Sequence, residues 1–201
     1  MVTRCPWAGT DPIVVDYHDR RWCVPVHEDR ELFAMLILEG MQAGLSWTLI
    51  LKREAQIRAA CHGLDPEIVA SYGEEEVARL LAAPGMIRSE RKIRAMIRNA
   101  RAFRAVQQAW GSFDRYIWHF TQGRTIYSRL ERQEEIPAQS PLSQAVSRDL
   151  KSRGFSFAGP VIVYSYLQSI GVIDDHLLSC PFRGQGRPVC DQPLHGPDPN
   201  A

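Results

Sequence analysis

The chain has 201 residues, enough for one full-sized core, and its 45% hydrophobic and 23% charged residues are ordinary for a folded globular protein. The formal net charge is +1, which excludes a whole-molecule polyanion binder, so any nucleic-acid surface must come from local clustering of charge. No apolar run approaches the roughly 18 residues needed to cross a bilayer. The opening Met1-Val2-Thr3-Arg4-Cys5-Pro6-Trp7 also lacks the apolar stretch of a secretory signal, so a cytoplasmic protein is expected.

Residues 1–30 read as irregular, broken by Pro6, Gly9, Pro12 and Pro25, yet carry Trp7, Tyr17 and Trp22. From Glu31 the apolar spacing of Leu32, Phe33, Leu36 and Ile37 predicts a helix with one buried stripe. Gly40 and Gly44 interrupt it, and Trp47 to Ile57 resumes it. Asp65-Pro66-Glu67 has the cap, first-position proline and early acid of a helix start, and Gly73 ends that short helix. Another helix begins at Glu74-Glu75-Glu76 and stops at Pro84-Gly85. A longer one is predicted over about Glu90–Trp110, with Ile93, Met96, Ile97 and Ala100 inward, followed by a short one over Phe113–Phe120. Residues 121–140 read as a surface loop with a brief extended piece at Thr125-Ile126-Tyr127. Ser140-Pro141 starts a helix that Gly154 ends, and Val161–Ile170 fits a buried helix or, by its Val-Ile-Val run, a strand. Past Phe182, Pro188, Pro193, Pro197 and Pro199 among glycines predict a disordered tail over 183–201. The fold class expected is all-α, a compact irregular bundle.

Four metal-type ligands sit at opposite ends of the chain: Cys5 and His18, then His176 and Cys180. Thiolate and neutral imidazole suit zinc, and a closed four-ligand set would be structural. His176 and Cys180 are four apart, so one helical turn would put both on a face, whereas Cys5 and His18 need a loop that folds back. The alternative is a free thiol, a surface imidazole and a coincidental pair. Cys190 and His195 are competing ligands in the tail, and Cys23 and Cys61, without partners at short spacing, read as core cysteines.

After Pro84-Gly85 come Arg88, Arg91, Lys92, Arg94, Arg98, Arg101 and Arg104, opposed only by Glu90. A helix, a glycine turn and a basic helix can hold a DNA backbone, with turn amides and the helix start facing a phosphate. The same run also fits a solvated helix face. Trp7, Tyr17, Trp22 and Trp47 are candidates for a base-stacking pocket or for plain core. Glu39, a carboxylate in an apolar stripe, must face solvent, pair with a cation or serve a site.

Longer motifs carry a resemblance. They are Arg4-Cys5-Pro6-Trp7, Asp16-Tyr17-His18-Asp19 with Trp22 and Val24-Pro25, Leu38-Glu39-Gly40 with Ala43-Gly44-Leu45-Ser46-Trp47, and Gly85-Met86-Ile87-Arg88 with Lys92-Ile93. Asn99-Ala100-Arg101-Ala102, Arg153-Gly154-Phe155-Ser156-Phe157, Tyr164-Ser165-Tyr166 and Asp175-His176 with Cys180 complete the set. Over about residues 3–182 the sequence resembles the bacterial DNA-3-methyladenine glycosylase I family.

The resemblance implies one helix-hairpin-helix domain over 1–182, with the hairpin about 74–104 and segments 1–30 and 170–182 clipped by one structural zinc on Cys5, His18, His176 and Cys180. It implies cleavage of the N-glycosidic bond of 3-methyladenine in double-stranded DNA by a monomer. Glu39, Tyr17 and Trp47 would form the catalytic base pocket, lined by Trp7, Trp22 and Ser165. Gly44-Leu45 would be the wedge that enters the duplex, and Gly85, Arg88 and Lys92 would contact DNA. Met41 stands where a polar residue is expected, and Cys23 where glycine is usual. No catalytic aspartate stands out: Asp16 and Asp19 flank Tyr17-His18, and Asp174 and Asp175 precede His176. Two rivals remain: a glycosylase for a bulkier alkyl-purine, hinted at by Met41, and a non-catalytic zinc-stapled DNA-binding module.

Overall fold

A computed structural model describes residues 3–184. The predicted tail lies outside the described residues from 185 on, as do Cys190 and His195. The chain is mostly helical: α1 (Pro12–Arg20), α2 (Asp29–Gln42), α3 (Trp47–Ala60), α4 (Pro66–Ala70), α5 (Glu74–Ala82), α6 (Glu90–Trp110), α7 (Phe113–His119), α8 (Pro141–Ser152) and α9 (Pro160–Ser169). The expectation of an all-α fold needs one amendment. The extended piece at Ile126–Tyr127 is a strand, β1, paired in parallel with β2 at Ile173–Asp174. None of the described helices is long and apolar enough to cross a membrane.

The irregular reading of residues 1–30 is corrected. Pro12 opens α1: the Asp11 side chain accepts from the Ile13 amide, and proline fills the first turn, where it loses no hydrogen bond. Gly40 lies inside α2, and the Val161–Ile170 ambiguity resolves as helix.

Helix α2 occupies the centre. Leu32 through Glu39 are all buried, so this helix has no solvent face for most of its length. It packs against α3, α6, α7 and α9. Its first residue, Asp29, also fixes its neighbours: the carboxylate accepts from the Phe113 amide (2.9 Å), the Asp114 amide (2.8 Å) and Gln107 Nε2 (2.6 Å). One acid thereby caps α7 and ties the end of α6 to the start of α2. Phe103 stacks on Phe113 at 4.1 Å beneath this junction.

The C-terminal end of α9 meets residues 23–26. The Cys23 amide donates to the Gln168 carbonyl and the Val26 amide to the Ile170 carbonyl. The crossing is so close that a Cβ on Gly171, at φ +74°, would lie 2.4 Å from the backbone of Val24 and Pro25. Gly171→Ala combines left-handed strain with a backbone clash and is expected to destabilise the protein by about 3 kcal/mol. Urea unfolding checks this, and a change within about 0.5 kcal/mol would mean the crossing yields freely.

Candidate active site and metal centre

Glu39 is buried in the last turn of α2, only 4% exposed. Among the described residues no hydrogen-bond or ion-pair partner meets its carboxyl group, and burial alone raises its pKa from 4.5 to about 8. The charge that Glu39 would carry is felt by Tyr17, whose own pKa burial drives well above the ordinary value, with Glu39 adding to the rise. Tyr17 projects from α1 onto Trp47, the first residue of α3, with ring centroids 5.3 Å apart and planes at 62°. Trp7 reaches Tyr17 at 6.4 Å and Trp22 at 4.6 Å, which closes the aromatic group on one side. The indole N–H groups of Trp7 and Trp47 are both buried without a hydrogen-bond acceptor. An unmet buried donor costs about 1–3 kcal/mol, so two of them on rings that pack against Tyr17, itself close enough to feel the Glu39 charge, is an arrangement suited to a polar ligand.

The structure thus gathers Glu39, Tyr17, Trp47, Trp7 and Trp22. No hydrogen bond or ring contact joins Ser165 to this group; its hydroxyl approaches the Val161 carbonyl of its own helix at 3.5 Å. Met41, two residues beyond Glu39 and so roughly 200° round the helix, is buried in a corner with Ile37, Lys92, Met96 and Phe157. It packs away from the pocket, which removes the one hint of a bulkier substrate.

Between α2 and α3 the chain turns over Ala43-Gly44-Leu45-Ser46. Gly44 has φ +77°, Gly44 and Leu45 are exposed, and the Ser46 side chain caps α3 by accepting from the Leu49 amide. The expected wedge is therefore a protruding turn directly between Glu39 and Trp47.

The four predicted metal ligands also converge. Donor atoms of Cys5, His18 and Cys180 lie within 4.8 Å of one another, all buried, and Cys180 Sγ is 3.7 Å from His18 Nε2. The His176 ring is 4.9 Å from that of His18, and its Nε2 is buried without a partner. Each imidazole is aimed by a carboxylate on its other nitrogen, His18 Nδ1 by Asp19 (2.8 Å) and His176 Nδ1 by Asp174 (2.9 Å). Arg4 in turn holds Asp19 with two nitrogens. The Leu177 amide donates to Cys5 Sγ at 3.4 Å. Two thiols, two inward-facing Nε2 atoms and carboxylates behind both rings are the donor set and support that zinc takes.

One expectation is corrected here. His176 and Cys180 share a loop after β2, closed by a Cys180 amide to Leu177 carbonyl turn, and no helix carries them. The four aspartates are also accounted for. Asp19 and Asp174 orient histidines, Asp16 pairs with Arg20 at the surface, and Asp175 is buried among Ser128, Tyr164 and Gln168. None has a contact that brings it to Glu39. Cys23 adopts φ +62°, a left-handed conformation that favours glycine, and donor atoms of Cys23, Asp174 and His176 lie within 4.8 Å of one another.

Helix α5, the turn at Gly85 (φ +77°) and α6 form the basic hairpin. Most of its cations are already engaged. Arg94 binds Glu74 and Glu90, Arg101 binds the Ala70 and Tyr72 carbonyls, and Arg104 binds Glu67. Arg91 lies over the Phe157 ring, and Lys92 turns inward to α2. Arg88 is exposed and has no such partner among the described residues. Apart from Glu90–Arg94, four apart on α6, sequence spacing could not find these pairings, because the partners lie on other elements. Asp19 and Asp174 are visible in the sequence as acids beside histidines, but adjacency alone does not distinguish a catalyst from a support.

The model of the methyladenine glycosylase family matches residues 7–184. The DNA-3-methyladenine glycosylase 1 of Escherichia coli is 41% identical over 177 residues, 88% of this chain and 95% of the relative. That of Haemophilus influenzae is 38% identical over 181 residues, 90% and 98% of the two chains. The solved 3-methyladenine DNA glycosylase I of Staphylococcus aureus superposes with a TM-score of 0.87 at 33% identity, covering 90% of this chain and 96% of the other.

Proposed function

The chain belongs to the methyladenine glycosylase family, and from that premise we propose that Glu39, Tyr17 and Trp47 form the pocket in which it releases 3-methyladenine from alkylated DNA. The reaction is hydrolysis of an N-glycosidic bond. Methylation at N3 makes the adenine cationic, so the bond is already weak and the base departs neutral. The enzyme must mainly select the base and expose it. Flipping the nucleotide out of the stack costs about a few kcal/mol, less for a damaged pair.

The observation that carries this reading is the buried Glu39 carboxyl group without a partner, near Tyr17, whose ring packs on Trp47. With a pKa near 8 it is mostly protonated in the empty pocket at neutral pH. A cationic base placed against it favours the ionised form, so binding expels a proton and leaves a carboxylate that accepts from the adenine amino edge. Trp47 stacks on the ring, a cation–π contact worth about 0.5–2 kcal/mol. Tyr17 bonds the base or fixes Glu39, while Trp7 and Trp22 wall the pocket. The glycosidic bond breaks with its electron pair going to the base, which leaves neutral, while water bonds to the sugar carbon and releases its extra proton to solvent. Among the described residues no aspartate contacts Glu39, which suits a substrate that needs little activation.

The remaining parts follow from the same premise. Leu45 enters the duplex where the base leaves. The Gly85 turn and Arg88 face a phosphate in helix-hairpin-helix manner. Cys5, His18, His176 and Cys180 hold one zinc, which supplies folding energy and no chemistry. The protein is read as one domain over 1–182, a cytoplasmic monomer acting on double-stranded DNA. The test is base release from methylated duplex DNA with 3-methyladenine and 7-methylguanine resolved by chromatography. Selective release of 3-methyladenine is expected. Release of neither from folded, zinc-loaded protein would favour a non-catalytic binding module.

A further inference from the structure

Among the cations after the hairpin, Lys92 is spent in an unexpected direction. Its Nζ donates to the Met41 carbonyl at 2.8 Å and to the Ala43 carbonyl at 2.7 Å, both at the C-terminal end of α2. Four successive carbonyls there, Gly40 to Ala43, lie where the helix ladder has run out. The turn's own amides meet two of them: Ala43 N–H donates to Gly40, and Leu45 N–H donates to Gln42 at 2.6 Å. Lys92 meets the other two. A cation at a helix C-terminus is also favoured by the partial negative charge of its carbonyls. The ammonium is part-buried in a small cleft with Gly40, Met41 and Phe157, where burial, with Arg91 beside it, lowers its pKa. To reach a phosphate it would have to leave both carbonyls.

We infer that Lys92 is a positioning residue for base extrusion, locking the Gly44-Leu45 turn and the Glu39 end of α2 onto the first turn of α6. This rests on the reading of Leu45 as the wedge. Its consequence is coupling: the helix that follows the phosphate-facing turn also sets the shape of the turn that enters the duplex. Docking on the backbone and presenting the wedge are then one rigid act. Lys92 touches neither base nor sugar, so it acts through the turn.

The experiment uses the full chain, with Lys92→Met, Leu45→Ala, the double variant and Arg88→Met. Lys92→Met is expected to lower single-turnover excision at saturating DNA by about 10-fold or more, the loss of two charge-assisted hydrogen bonds. Free 3-methyladenine should still bind within about twofold, read by tryptophan fluorescence. The salt dependence of undamaged-duplex binding should keep the wild-type slope, whereas Arg88→Met should reduce it by about one phosphate. The Lys92 and Leu45 losses should be strongly non-additive, because both remove the same wedge. Additive losses, or a slope reduced by about one with normal saturating excision, would overturn the inference and return Lys92 to the DNA backbone. If Lys92→Met folds poorly, the slope is read with Lys92→Gln, which removes the charge and keeps a donor, and the cycle with Leu45→Ala is read with the same variant. Failure of the underlying reading is separable, since the wild-type chain would then release no 3-methyladenine.

Discussion

Replacing Glu39 with glutamine is expected to move activity and stability in opposite directions. Excision should fall by about 10- to 100-fold, the value of a hydrogen bond to a charged group formed with the cationic base. Affinity for undamaged duplex should stay nearly intact, because Arg88 and the Gly85 turn are on other elements. Stability should rise, and the rise should depend on pH. The folded-state pKa of Glu39, about 8, lies above the ordinary 4.5. Between those values the native state holds a proton that the unfolded chain has released, so the stability associated with Glu39 is fully present below about 4.5 and is lost as pH climbs toward 8. Glutamine has no proton to lose. The variant should gain on the wild type through that window, by about 2–4 kcal/mol at pH 8. Urea unfolding at pH 5, 6.5 and 8 measures the gap. A gap that does not change with pH would mean that solvent or a partner already satisfies the carboxyl group, and Glu39 would lose its place at the centre of the site. In the wild type kcat/KM should rise toward pH 8 as the free carboxyl group ionises, and the glutamine variant should lack that limb.

Much of this was legible in the sequence where the signal was local. Asp65-Pro66 and Ser140-Pro141 mark helix starts because cap and proline act within one turn, and α4 and α8 begin there. Asp11-Pro12 carries the same signal. Neighbouring prolines and glycines obscure it, so the segment reads as irregular although α1 holds both Tyr17 and His18. The pairing of β1 with β2 depends on Ile126 meeting Ile173, and no local pattern specifies that. The basic run is a related case. Spacing shows many arginines on one helix, but Glu67, Glu74 and the Ala70 and Tyr72 carbonyls that absorb them lie elsewhere in the chain. The aromatic pocket and the ligand set were named from motifs. What the motifs lacked was the physical reason, which is that α1 carries Tyr17 toward Glu39 and the next residue, His18, toward Cys180.

That adjacency makes metal removal the other large effect expected. If one zinc joins Cys5 to Cys180, it closes a loop of roughly 175 residues, worth about 5 kcal/mol in chain entropy alone. For a chain of this size such a loss lowers Tm by about 10 °C or more. Stripping the metal with a strong chelator, or replacing His176 with alanine, should produce that shift. Cys61→Ser alters a buried thiol outside the ligand cluster, so it should leave metal content unchanged while reporting the cost of changing a buried cysteine. The effect should also reach the pocket. Trp7 packs on both His18 (5.3 Å) and Tyr17, and Trp22 packs on His176 at 4.6 Å, so loosening the ligands frees two pocket walls at once. Metal loss should therefore shift tryptophan emission and weaken binding of free 3-methyladenine before global unfolding. Elemental analysis of the purified protein should give one zinc per chain. A metal-free protein with unchanged Tm and unchanged base affinity would show that Asp19, Asp174 and the aromatic rings hold this corner unaided.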